Sequence, residues 1–178
     1  MARTIIIGGG AIGLSLAYHL AHRGAEDVLV LERNQLTSGT SWHAAGIVGP
    51  LRATPNMTRL ASYALELFPR LEAETGMATG YRQTGGYWLA RRPERLDELH
   101  RISALGRHFG LTAQVIASED VAVPGLDVSG HAGAMWVAED ANVNPVDLCM
   151  AYARAARSKG VEIRENCQVD RIVTKDGT

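Results

Sequence analysis

Cysteine is scarce in this sequence: Cys149 and Cys167 are the only two, far apart and at no spacing that would hold a metal. Cys149 shares a helical face with Val146, Met150 and Ala153 and reads as a buried free thiol. Neither sign of charge dominates. With 18 Lys and Arg against 19 Asp and Glu the formal net charge is −1, which gives no general pull toward nucleic acid or anionic lipid. No apolar run approaches the roughly 20 residues that a membrane-spanning helix needs, so neither nucleic acid nor membrane is an expected partner. Met1-Ala2-Arg3 leads straight into a strand pattern, so no removable leader is expected and the cytoplasm is the expected compartment. Zinc motifs, a P-loop, a Gly-x-Ser-x-Gly elbow and internal repeats are also missing. What remains is the composition of an ordinary globular protein, 46% apolar and 21% charged over 178 residues.

What the sequence does have lies at its start. The strand pattern Thr4-Ile5-Ile6-Ile7 runs into Gly8-Gly9-Gly10-Ala11-Ile12-Gly13. In such a turn Gly8 permits the tight bend, Gly10 lets the backbone approach a pyrophosphate, and Gly13 lets the following helix lie close to the strand. That helix begins with unpaired N–H groups and the positive end of its dipole facing the phosphates. Ile12, Leu16 and Leu20, flanked by Ala17 and Ala21, are expected to form its core-facing stripe, and Gly24 to end it. The strand Val28-Leu29-Val30-Leu31 then delivers Glu32 to a strand end, where a carboxylate can accept hydrogen bonds from both hydroxyls of an adenosine ribose. Strand, turn, helix, strand and acid in that order outweigh a mere glycine turn.

The loop behind Glu32, Thr37-Ser38-Gly39-Thr40-Ser41-Trp42-His43-Ala44-Ala45-Gly46, is small and polar enough for backbone amides and hydroxyls to reach a second phosphate or a flavin edge. A nicotinamide-dependent dehydrogenase would use Gly8 to Gly13 and Glu32 but has no need of this loop, whereas FAD must be threaded along the protein from ribose to isoalloxazine. At Ser41-Trp42-His43-Ala44-Ala45-Gly46 the chain resembles the N-terminal part of the D-amino-acid-oxidase-like flavoprotein family, especially its dimethylglycine and sarcosine dehydrogenase branch. That branch carries a Ser/Thr-x-His-Ala-x-Gly loop. The three residues Ala25-Glu26-Asp27 make the spacing to the second strand one longer than the commonest FAD fingerprint, as in that branch.

The resemblance implies an α/β fold: a Rossmann-like, three-layer FAD-binding domain on a parallel sheet, with the start of a mixed-sheet substrate domain, incomplete in this chain. It implies Ala11 and Ile12 at the pyrophosphate, Glu32 and Arg33 at the adenosine ribose, and Gly39, Thr40, Ser41, Trp42, His43, Ala44, Ala45, Gly46 and Ile47 along the flavin. It implies that His43 bonds through a ring nitrogen to the 8α-methyl carbon of FAD, with a noncovalent flavin neighbour as the alternative role. The backbone of Val169 is implied at the adenine, against an ordinary strand residue. The implied activity is oxidative N-demethylation of a small N-methylated amino acid such as dimethylglycine or sarcosine, by hydride transfer to the flavin. Oxygen or an electron-transfer flavoprotein would accept the electrons, and tetrahydrofolate could enter in a longer protein. A non-catalytic, regulatory member of the same fold is the other implied possibility.

Arg52 follows the flavin loop, and its guanidinium could bind a substrate carboxylate bidentately, although a structural or surface role is the preferred reading. Helices are expected from Asn56, with Leu60, Ala64, Leu67 and Leu71 inward and Pro69 as a possible kink, from Pro93 to Phe109, and after Asn144-Pro145. Strands are expected around 84–90, 113–116, 134–137, 161–164 and 169–174, and Lys175-Asp176-Gly177-Thr178 is a hairpin signal whose return strand is absent. Residues 1–50 are expected to form the dinucleotide unit and flavin loop, 51–140 to lead into the substrate side, and 141–178 to return to the FAD-binding domain. The chain is therefore expected to be an N-terminal piece of a longer flavoenzyme.

Overall fold

The computed structural model describes residues 4–174, so the 175–178 hairpin signal lies outside the described residues. Along the chain run β1 (Thr4–Ile7), α1 (Ala11–His22), β2 (Val28–Leu31), β3 (Ile47–Val48), α2 (Pro55–Thr75), β4 (Arg82–Gln83) and β5 (Gly86–Ala90). They are followed by α3 (Pro93–His108), β6 (Ala113–Ile116), β7 (Gly133–Val137), β8 (Ala141–Asn142), α4 (Pro145–Ser158) and β9 (Glu162–Arg164). These elements form two units interleaved in sequence: residues 1–46, 68–80 and 143–178 in the first, 47–67 and 81–142 in the second. One crossing between them lies within α2, between Leu67 and Phe68, next to Pro69, where the helix continues without the hydrogen bond that proline cannot donate.

In the first unit β1, β2 and β9 form a parallel sheet with β2 in the middle, Ile6 opposite Val30 and Val30 opposite Ile163. Parallel neighbours need a crossover connection, and α1 supplies the one between β1 and β2. Ile6, Ala17, Val28, Val30, Ala156 and Val161 make the core under α1 and α4. Tyr18 and Tyr152 meet edge to face at 5.4 Å where those two helices pack. Asn144 caps α4, its side-chain oxygen accepting the N–H groups of Val146 at 3.0 Å and Asp147 at 3.3 Å, with Pro145 at the first turn.

The expected α1 stripe is corrected at Ile12 and Leu16, while its Ala17, Leu20 and Ala21 do pack in or against the core. Ile12 is 88% exposed and Leu16 48%, whereas Leu14, Ala17 and Tyr18 are buried. Close contact with the sheet selects the small residues Gly13 and Ala17. One position earlier, about 100° round the helix, Ile12 and Leu16 flank the sheet instead of facing it. Exposed Ile5 and Ile7 accompany them on β1, whose only ladder among the described residues is with β2. Two further expectations are corrected. Leu60 is exposed, so the inward face of α2 rests on Leu67 and Leu71. Residues 169–174 form no strand: they have no ladder among the described residues, and Ile172 and Val173 are exposed.

In the second unit the antiparallel order is β5-β7-β6, with α3 against the sheet and Leu51, Ala90, Leu99, Ala113, Met135 and Val137 forming the core. A smaller antiparallel sheet, β3-β8-β4, has no counterpart in the sequence reading, because two-residue strands carry no periodicity.

Candidate dinucleotide and flavin site

The turn after β1 needs glycine at two positions, Gly8 for its backbone angle and Gly13 for its close approach. Gly8 has φ +112°, and a Cβ on Gly13 would overlap the Gly8 carbonyl oxygen. A Cβ on Gly9 would run into Leu36 and Glu32, and one on Gly10 would sit 3.0 Å from Ser41 Oγ. The first turn of α1 contains no acidic side chain to compete with a phosphate, and the Ala11 N–H donates to Ser41 Oγ at 3.0 Å.

Glu32 is tied to the same turn. Its Oε2 accepts the Gly9 N–H at 2.7 Å and its Oε1 the Asn34 N–H at 2.9 Å. These bonds fix the carboxylate plane and leave lone pairs for further donors.

A groove of about 790 Å³ runs from β1 across the turn. Gly8, Gly10, Ala11, Ile12 and Gly13 line it together with Glu32 and, from the loop, Gly39, Thr40, Ser41 and Ala44. A smaller hollow of about 250 Å³ lies beside Glu32, bounded by Gly8, Arg33 and Val169. Cys167 and Gln168 also line this hollow and were missed from sequence, because they follow β9 in an irregular segment. Their position is set by backbone: the Cys167 N–H donates to the Glu32 carbonyl at 2.8 Å, and the Asn166 N–H to the Asn34 carbonyl at 2.9 Å.

The loop itself contains a 3-10 turn, Thr40–His43. Thr37, at φ +68° and buried, starts it by donating its N–H to the Gly9 carbonyl and accepting that of Trp42, both at 3.1 Å. Ser41 bridges to α4 through a hydrogen bond with Cys149, whose thiol is held above its ordinary pKa by burial, with that bond opposing. Cys149 is a buried free thiol, as expected. Trp42, His43 and Ala45 are exposed and do not line the groove. His43 Nδ1 lies 3.1 Å from the Gly39 carbonyl. With Nδ1 as the donor, Nε2 keeps its lone pair. Gly46 has φ +77°, and a Cβ there would overlap the Val143 carbonyl oxygen. Ile47 and Arg52, both exposed, belong to the second unit.

A parallel β-α-β unit with a glycine turn, a strand-end carboxylate and an adjoining groove defines a dinucleotide-binding α/β protein. The family model for FAD dependent oxidoreductases matches residues 3–178, and the chain belongs to that family. The nicotinamide alternative therefore gives way to FAD. The chain is 39% identical over 173 residues to 4-methylaminobutanoate oxidase (formaldehyde-forming) of Paenarthrobacter nicotinovorans, covering 96% of this chain and 21% of that protein. It is 37% identical over 174 residues to the mitochondrial sarcosine dehydrogenase of Homo sapiens, covering 96% and 19%. To the mitochondrial pyruvate dehydrogenase phosphatase regulatory subunit of Mus musculus it is 38% identical over 178 residues, covering 99% and 20%. Among solved structures, L-proline dehydrogenase from P. horikoshii superposes with a TM-score of 0.91 at 26% identity, covering 98% of this chain and 46% of that one. The chain thus spans about a fifth of the length of these curated relatives. No helix among the described residues is long and apolar enough to cross a membrane.

The residues present fit FAD. The bare backbone of the glycine turn leaves room for a pyrophosphate, and the oriented Glu32 carboxylate suits a ribose diol.

Proposed function

We propose that this chain is the N-terminal, FAD-holding part of a longer flavoenzyme that oxidatively N-demethylates a small N-methylated amino acid of the sarcosine or dimethylglycine type. The observation that carries the proposal is His43, exposed at the end of the 3-10 turn with Nδ1 against Gly39 and Nε2 available, in a loop that Ser41 docks onto the N-terminus of α1. In this reading His43 carries FAD covalently. The flavin supplies the two-electron chemistry that takes a hydride from the N-methyl carbon. The chain's own residues bind and orient: the glycine turn and Ala11 take the pyrophosphate, Glu32 and Arg33 the ribose, Val169 the adenine, and residues 39–47 the flavin. Arg52 is the candidate for the substrate carboxylate.

The printed names of two relatives support the substrate class, one a sarcosine dehydrogenase and the other a formaldehyde-forming oxidase of a methylamino acid. The short span against those relatives supports a longer protein, as does the exposed apolar flank of Ile5, Ile7, Ile12 and Leu16. Oxygen or an electron-transfer flavoprotein would accept the electrons, and folate could take the one-carbon unit elsewhere in the longer protein. The reading keeps the protein in the cytoplasm, although the human and mouse relatives are mitochondrial by name.

Similarity to a phosphatase regulatory subunit favours a second reading, a flavin-binding member without turnover. Two measurements on the full-length protein decide. After acid denaturation the flavin should stay with the wild-type polypeptide and be released from His43→Ala; release from the wild type refutes the covalent link. Anaerobic sarcosine or dimethylglycine should bleach the flavin. No bleaching by any secondary or tertiary amine leaves the regulatory reading.

A further inference from the structure

We propose that Asp140 is a positioning residue for Arg52, holding its guanidinium from a buried cradle between β7 and β8 so that the outer face stays turned to a carboxylate ligand. The inference rests on the reading of Arg52 as the substrate-carboxylate group and assigns a role to a residue that the flavin site does not use.

Asp140 is only 7% exposed, an unusual place for an acid. Its backbone is pinned, the carbonyl accepting the Gly85 N–H at 2.8 Å. Oδ2 accepts the Trp88 indole N–H at 3.2 Å, and Oδ1 is buried with no hydrogen-bond partner among the described residues. Two glycines make room for the carboxylate. A Cβ on Gly49 would stand 2.9 Å from Oδ1, and one on Gly86 would overlap Oδ2. A carboxylate with one oxygen satisfied by an indole and the other by nothing is costly to bury unless a cation compensates it.

Arg52 supplies the nearby positive charge, acting through space and not through a direct ion pair or hydrogen bond. Its Nη1 lies 3.9 Å from the same Gly49 point that Oδ1 approaches to 2.9 Å. Burial raises the Asp140 pKa, while Trp88 and the Arg52 charge pull it down and Glu139 pushes it up. The other end of Arg52 is fixed by the buried Thr58, whose hydroxyl oxygen accepts the Arg52 N–H at 3.1 Å and whose O–H donates to the Arg52 carbonyl at 3.2 Å. A long, exposed side chain is thereby held at its backbone and drawn at its tip. That lowers the entropy lost when the guanidinium closes on a bidentate ligand.

The test reads the Asp140 carboxyl by ¹³C NMR and the kinetics of the FAD-loaded full-length protein with dimethylglycine. Arg52→Met should raise the Asp140 titration by about one pH unit, and Arg52→Lys by less. Asp140→Asn should raise KM about tenfold with kcat nearly unchanged. An Asp140 titration that Arg52→Met does not move overturns the pairing, and that measurement stands even if Asp140→Asn fails to fold. A raised KM in Arg52→Met with an unchanged KM in a folded Asp140→Asn overturns positioning while sparing the carboxylate role of Arg52. An unchanged KM in Arg52→Met removes that role itself.

Discussion

The Gly9 N–H donates to Glu32 Oε2 at 2.7 Å, joining the turn after β1 to the end of β2. The bond ties the Glu32 carboxylate to the glycine turn, so in the proposed site the ribose acceptor and the phosphate turn would be set together. Glu32→Ala should weaken FAD binding by about tenfold to a hundredfold, the range expected for hydrogen bonds to a charged group. Glu32→Gln, which keeps one acceptor oxygen, should fall between. Flavin fluorescence titration in the His43→Ala background, where the flavin is held noncovalently, measures both.

Gly13 and Gly24 separate two demands on glycine. Gly13→Ala drives a methyl into the Gly8 carbonyl oxygen and should cost near the top of the about 1–3 kcal/mol typical of overpacking, with loss of FAD binding. Gly24, at φ +80° with open space around its Cβ position, should cost only about 1 kcal/mol as alanine and leave binding intact. Urea denaturation of the two variants, and flavin titration of each in the His43→Ala background, check the contrast.

The two cysteines should react at different rates. Cys149 is fully buried, with its thiol pKa raised by burial, whereas Cys167 is half-buried on the hollow beside Glu32. Iodoacetamide should label Cys167 first, and FAD should protect it. Peptide mass spectrometry on His43→Ala, with and without added FAD, reads the order. Equal labelling of Cys167 in both conditions would move the adenine elsewhere.

Asp140 gives stability a pH dependence of fixed sign. The unfolded carboxyl titrates near its ordinary value of 3.8, and in the folded protein burial raises that pKa. Between the two values the folded state holds the extra proton. The contribution is therefore fully present below the ordinary value and is lost as the pH rises through the folded pKa. Urea midpoints of the wild type should fall over that window relative to those of Asp140→Asn.

The glycine turn and the strand-end acid of the proposed site were legible because their demands are local. Gly8, Gly10, Gly13 and Glu32 lie within one β-α-β unit, where backbone sterics and a strand end dictate residue type. Ile12 and Leu16 misled because helical periodicity marks an apolar face without saying which side the sheet occupies; the small Gly13 and Ala17 carried that information. The 169–174 segment alternates like a strand, but alternation does not supply a pairing partner. Cys167 and Asp140 were hidden for another reason. Their roles come from neighbours more than 50 residues away, Glu32 for the first and Trp88 for the second. An isolated acid in a turn looks solvated until its surroundings are known.

The interleaving of the two units bears on how the protein is made. The chain passes from one unit to the other four times, and β2, ending at Leu31, waits for β9, beginning at Glu162, to complete its parallel pairing. At ribosomal speeds of about 5–20 residues per second, that wait lasts on the order of ten seconds. Throughout it one edge of the emerging nucleotide sheet is unsatisfied, and chaperones would have most to shield there during synthesis.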